Sequence, residues 1–163
     1  MAERSSIMTE RIQKIIEQAK EACLKHGSHL TPKRQTLLLS LIKSGRALSA
    51  YELVKYSKNE YNEVIPAMSA YRILDFFQQI HLVHKLNSVN KFTICSHILE
   101  DDDKSQGSLF LICHQCHRVK ELHINKSIIN ALEKEIGEQE FHIITRQLEL
   151  KCQCEACLVK SKP

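Results

Sequence analysis

The 163-residue sequence predicts an α+β fold in two modules, and three patterns predict it. Apolar residues recur with a helical period through most of residues 1–94 before giving way to two short β-type runs. From residue 108 onward the order is strand, strand, helix, strand. Two C-x-x-C pairs, Cys113/Cys116 and Cys154/Cys157, bracket that second part. The expected division is therefore one module over 1–94, a hinge or loop over 95–107 and a second module over 108–163. Glu100-Asp-Asp-Asp103, inside the hinge, is the longest like-charge run and has no periodicity, as a surface connection should.

In the first module Ile12, Ile15, Ile16, Ala19, Ala22 and Cys23 keep an i, i+3, i+4, i+7 spacing that stops before Gly27, predicting one amphipathic helix. Cys23 lies on the apolar stripe and has no Cys or His one turn away, so it reads as a small core residue. A second helix begins at Thr31-Pro32, with Thr as N-cap and Pro at the first helical position, and turns Leu37, Leu38, Leu41 and Ile42 inward. The third is announced by a capping box, Ser49-Ala-Tyr-Glu52, with Leu48 and Leu53 as hydrophobic staple. A fourth is expected from about Pro66 to Gln79, with Ala70, Ile73, Leu74 and Phe77 inside and Met68, Arg72, Asp75 and Gln79 outside. The runs Leu82–Leu86 and Lys91–Cys95, joined by Asn-Ser-Val-Asn, then form a hairpin. Three to four short helices followed by a hairpin make a winged helix-turn-helix.

The second module predicts strands at Ser108–Ile112 and Val119–Leu122 and a helix capped by Asn125 and stopped by Gly137. A last strand is expected over Phe141–Leu150, with Ile144, Leu148 and Leu150 on one face. One helix cannot cover both faces of such a sheet, so a second subunit in a symmetric dimer is the expected cover. This makes 108–163 a small α/β dimerisation domain.

Composition bounds the function. With 43% apolar and 26% charged residues, four glycines and three prolines, the chain should fold, and no stretch is long and apolar enough for a membrane span. The N-terminal MAERSSIMTERIQK is polar and lacks the apolar core of a signal peptide, so a cytoplasmic location is expected. Seven cysteines in a reducing compartment point to metal or thiol chemistry rather than disulfides. Six of them lie from Cys95 onward. Residues 1–94 carry 14 Lys/Arg against 8 Asp/Glu, whereas 95–163 carry 9 against 11, so a +6 module adjoins a −2 module.

Four thiolates suit a closed tetrahedral zinc site, and two C-x-x-C turns supply them with little backbone strain. The expected structural zinc ligands are Cys113, Cys116, Cys154 and Cys157; the 37 residues between the inner pair make the site bracket a whole subdomain. Cys152, His114 and His117 are near enough in sequence to compete and are not chosen. A pair of unrelated thiol turns or a redox C-x-x-C is the plainer alternative.

The winged helix followed by C-x-x-C, helix, strand and C-x-x-C, together with Leu30-Thr-Pro-Lys-Arg34, Ser49-Ala-Tyr51, Ser69-Ala-Tyr-Arg72 and Val83-His-Lys85, resembles the ferric uptake regulator family, most closely its zinc-sensing branch. The resemblance runs from about residue 10 to Cys157 and implies a homodimeric transcription repressor that binds palindromic operator DNA when loaded with zinc and controls zinc uptake genes. It also implies a regulatory zinc site drawn from His84, Cys95 and Glu121, with a loop histidine as a further ligand. Gln106 stands where that histidine is expected; His97 takes the role, and Asp103 is the next candidate. The chain lacks the His-rich cluster of iron-sensing members, and Arg146 stands where many members have a His, which counts against an iron sensor and against a third metal site. A donor set of Cys, His and carboxylate suits zinc. Singly, His84 reads equally well as a wing histidine facing solvent, Cys95 as a buried strand residue and Glu121 as a solvated one.

In a winged helix-turn-helix the helix over 66–79 enters the major groove. Its exposed Arg72 can pair with guanine N7 and O6. Tyr51, at the capped start of the third helix, sits where a phosphate or base edge fits. Ser69 and Tyr71 accompany them, Tyr71 at the flank of the core stripe, and Lys33, Arg34, Lys55, Lys58 and Lys91 are candidate phosphate contacts. His84 and Cys95 belong to the wing and Glu121 to the second module, so one regulatory zinc is expected to hold the two reading heads at operator spacing. An iron- or peroxide-sensing member of the same family is the nearer alternative, and a thiol-redox or zinc enzyme the more distant one. No H-E-x-x-H, glycine-rich loop or Ser/His/Asp constellation supports an enzyme or a small-molecule substrate.

Overall fold

The computed structural model describes residues 2–99, 107–145 and 147–160, and of residues 2–7, 97 and 99 it describes the backbone alone. The chain divides into two compact units, Met1–Asp101 and Asp102–Pro163.

In the first unit α1 (Ala2–Lys25), α2 (Pro32–Ser44), α3 (Ala50–Tyr61) and α4 (Ala67–Gln79) precede an antiparallel hairpin of β1 (Val83–Leu86) and β2 (Lys91–Ile94), then a 3-10 turn at Ser96–Leu99. The apolar stripes meet in one core: Ala19 and Cys23 of α1, Leu37, Leu38 and Leu41 of α2, Leu53 of α3, Leu74 and Phe77 of α4, and Phe92 of β2 are all buried. Burial also pushes the Cys23 thiol up, as befits a core residue, against a smaller opposing pull from Arg34. A 2.8 Å hydrogen bond between the hydroxyls of Ser40 and Ser57 crosses this core and joins α2 to α3.

The helix starts follow local chemistry. The Ser49 side chain accepts from the Glu52 amide at 3.2 Å, and the Glu52 carboxylate accepts from the Ser49 amide at 2.7 Å, completing the capping box. Leu48 and Leu53 are both buried beside it. At α2 the expectation is corrected in part: Thr31 occupies the cap position, but its side chain makes no capping hydrogen bond. Pro32 begins the helix, where the N–H it lacks would have had no intrahelical partner. Gly45 ends α2 at φ +62°, a backbone conformation that glycine adopts without steric cost.

The second unit is a three-stranded sheet ordered β4-β3-β5, made of β3 (Gly107–Cys113), β4 (Val119–Ile124) and β5 (Gln147–Cys152), with α5 (Lys126–Gly137) between β4 and β5 and a short α6 (Glu155–Lys160) at the end. Asn125 caps α5 by accepting from the Ser127 amide. The central β3 pairs antiparallel with β4 and parallel with β5, and its Phe110 and Ile112 are buried. The last strand differs from expectation. Its ladder begins at Ser108↔Gln147, one residue from the start of β3, so residues 141–145 have no strand to pair with among the described residues. Ile144 accordingly lies outside the Leu148 and Leu150 face and is 98% exposed, while the strand runs on to Cys152.

Replacing Ser49 by Ala removes the cap of α3 and should cost about 1 kcal/mol. Urea unfolding followed separately in the two units should show an earlier transition for the first unit and an unmoved one for the second.

Candidate metal centre and nucleic-acid interface

Strand pairing brings the two C-x-x-C turns together. Cys113 and Cys152 are register partners at the ends of β3 and β5, and the His114 amide donates to the Cys152 carbonyl at 2.9 Å. The chain then turns twice. After β3 it folds back through Cys113-His-Gln-Cys116, with the His117 amide on the Cys113 carbonyl at 3.0 Å and the Cys113 amide on the Arg118 carbonyl at 2.9 Å. His117 closes this turn at φ +57°, a left-handed position that His adopts more readily than most residues, so its contribution is to the backbone. After β5, Cys154 accepts from the amides of Cys157 and Leu158, placing Cys154 and Cys157 at the first turn of α6.

The result is a cluster in which the sulfurs of Cys113, Cys116, Cys154 and Cys157 all lie within 4.8 Å of one another. Cys116 Sγ and Cys154 Sγ are 3.6 Å apart. Sulfurs 2.3 Å from a central zinc ion stand about 3.8 Å from each other in a regular tetrahedron, so the donor set and its spacing fit zinc. No disulfide competes for these sulfurs among the described residues. The Cys113 thiol is held down at about 5 because the backbone amides of Cys116 and Cys154 point at it, the latter at 3.4 Å, and together they outweigh the opposing effect of burial. Cys157 is pushed up to about 12 by hydrogen bonds with the sulfurs of Cys154 and Cys116, by burial and by the charge on Cys113. One thiolate is thus prepared in advance, while another thiol keeps its proton until a cation displaces it.

The residues singled out for a second metal site are placed as follows. His84 is half-buried in β1 opposite Thr93, and Cys95 is buried directly after β2, its amide on the Leu82 carbonyl at 3.0 Å. Glu121 lies in β4 opposite Phe110 and accepts a 2.9 Å hydrogen bond from Ser108. The His97 side chain, Asp103, Gln106 and Arg146 lie outside the described residues.

On the first unit, Tyr51 stands exposed at the start of α3 and meets Tyr71 of α4 edge to face, with ring centres 6.2 Å apart. Tyr71 is half-buried against the core, Ser69 is half-buried, and Arg72 and Lys33 are exposed. Arg34 is held inside the unit: one guanidinium nitrogen donates to Ser28 Oγ at 2.6 Å and to the His29 carbonyl at 2.7 Å, and the group stacks 4.1 Å above the Phe76 ring of α4. Neither this clamp nor the role of Lys91 is visible in spacing. Lys91 of β2 donates to Glu52 at 3.1 Å, and Leu48 exchanges two backbone hydrogen bonds with Phe92 of the same strand. Burial acts upward on Glu52, yet the Ser49 amide and the Lys91 ammonium hold its carboxyl below the usual range. The capped start of α3 is therefore laced to the hairpin.

A sequence profile of the Ferric uptake regulator family matches residues 25–151. The Zinc uptake regulation protein of Escherichia coli (strain K12) is 29% identical over 148 residues, which span 90% of this chain and 82% of that protein. Among solved structures, a zinc uptake regulator complexed with zinc and DNA superposes with a TM-score of 0.75 at 26% identity, covering 93% of this chain and 98% of that one. The crystal structure of holo XcZur matches with a TM-score of 0.69 at 30% identity, covering 88% and 96%. Among the described residues no helix is long and apolar enough to cross a membrane.

Metal uptake by the four-sulfur cluster should release fewer than four protons at pH 7, because Cys113 is already ionised when its thiol sits near 5. Proton release followed on adding zinc to metal-free protein in weak buffer checks this. Uptake should also weaken as pH falls, since protons compete for the remaining thiols. Release of four protons would contradict the prepared thiolate.

Proposed function

This chain belongs to the ferric uptake regulator family, and from that membership we propose that it is a zinc-responsive transcriptional repressor, a homodimer that binds palindromic operators in the cytoplasm and controls zinc uptake genes. The observation that carries the reading is the likeness, over 93% of the chain, to a zinc uptake regulator complexed with zinc and DNA.

Two zinc sites per subunit are proposed. Cys113, Cys116, Cys154 and Cys157 hold the structural one. Zinc in such a site supplies a closed tetrahedral cross-link with no open position and no redox chemistry, which supports a regulator rather than an enzyme. His84, Cys95 and Glu121, with His97, hold the regulatory one. This set rests on the family positions and on a donor chemistry that suits zinc. Ile128, Phe141 and Leu150 are large exposed apolar residues of the second unit, and they support its role in dimerisation.

On DNA, α4 occupies the major groove, Arg72 reads a guanine edge, and Tyr51, Ser69, Tyr71 and Lys33 contact the backbone or adjacent bases. Arg34, engaged with Ser28, His29 and Phe76, contributes by steadying α4. Zinc and DNA must tighten each other's binding by the same factor, since both favour the same arrangement.

The test is operator binding titrated with chelator-buffered zinc, with iron and manganese as controls. Zinc should tighten binding and the other metals should not; tightening by iron alone would assign the chain to iron sensing instead. Cys95→Ser should leave a folded dimer whose DNA affinity no longer responds to zinc. Cys113→Ser should lose the fold of the second unit. Arg72→Ala should lose about 1–3 kcal/mol and relax the preference at one base pair.

A further inference from the structure

We propose that Met68 is a specificity residue that reads a thymine methyl group in the base pairs next to the one read by Arg72. The inference rests on the proposed DNA-binding role and adds a contact to it. Met68 is 68% exposed in the first turn of α4, and Val64, two residues before the Pro66 cap, is 65% exposed. Between them Ile65 is buried, so the chain leading into α4 is anchored while its outer side is left apolar. Isolated exposed apolar side chains are common and need no explanation. Here, however, they sit at the start of the reading helix, where residues contact base edges.

Geometry connects Met68 to Arg72. Residues four apart share a helix face, and their positions differ by about 6 Å along the axis. Base pairs rise by about 3.4 Å, so when Arg72 reaches one base edge, Met68 lies within about two steps of it. The chemistry selects the occupant. The only apolar group that the major groove presents is the C5 methyl of thymine, and a thioether has neither donor nor charge for any other base edge. Its unbranched, polarisable chain can follow a methyl group with little steric demand. Arg72 supplies polar readout, and Met68 adds discrimination of T·A from C·G beside it. The net +6 charge of residues 1–94 favours approach of this unit to DNA.

The test is selection of duplexes from a random-core library by zinc-loaded full-length protein, followed by binding to the selected duplex with single thymines replaced by deoxyuridine. Deoxyuridine keeps the pairing and removes only the methyl. Wild type should bind about fourfold more weakly when one particular thymine per half-site is replaced, the ratio expected for one buried methyl-sized group. Met68→Ala should bind the thymine and deoxyuridine duplexes equally, and Met68→Leu should restore the difference. Wild-type indifference to every replacement, or a Met68→Ala protein that keeps the difference, overturns the proposal while leaving the repressor reading intact. Failure to select any sequence with zinc overturns both. A Met68→Ala protein that selects the same sequence but has lost self-association assigns the patch to a protein contact and also overturns it.

Discussion

Gathering four sulfurs at the ends of β3 and β5 is the constraint on which the second unit depends. The parallel pairing of these strands is a long-range contact, with all of β4 and α5 inserted between Cys116 and Cys154. Such pairing forms only after a costly loop closure. Among the described residues the buried apolar side chains of this unit are few: Phe110, Ile112, Ile124 and Ile129, besides Cys113. A core of that size gives limited stability, and the proposed zinc cross-link at the open end of the two strands would compensate for it. The same four sulfurs lie at the ends of the sheet that carries Glu121 and the exposed Leu150.

The first unit is held differently. Its four helices and hairpin share one continuous core and need no cross-link. Polar interactions act beside the side chains proposed to read DNA. Glu52 closes the cap of α3 and reaches Lys91 in β2, which steadies the backbone carrying Tyr51. Arg34 bridges the turn before α2 to Phe76 of α4, the helix that carries Met68 and Arg72. Exposed salt bridges contribute little to stability, so the contribution of these contacts is orientation.

Much of this was legible in the residues themselves. Helical spacing marked the α1 to α4 stripes, the Ser49 to Glu52 capping box marked the start of α3, and the paired C-x-x-C turns marked the four-sulfur cluster. Those signals are local or depend on spacing alone. Alternation over Phe141–Leu150 starts the last strand too early because it does not reveal where a partner strand begins; the register with β3 decides that. The stacking of Arg34 on Phe76 joins residues 42 positions apart, and no periodicity encodes it. Thr31 is a capping residue by type, and type alone does not decide whether its hydroxyl turns to the first-turn amides.

The cysteine knot, with bound zinc, is proposed to hold the second unit together while the first stands on its own core. Amide hydrogen exchange on the full-length protein, before and after zinc is stripped by a strong chelator, tests it most directly. Protection should be lost across β3 and β5 and retained in α2, α3 and α4. Unchanged protection in β3 and β5 after the four-sulfur site has been emptied would contradict it.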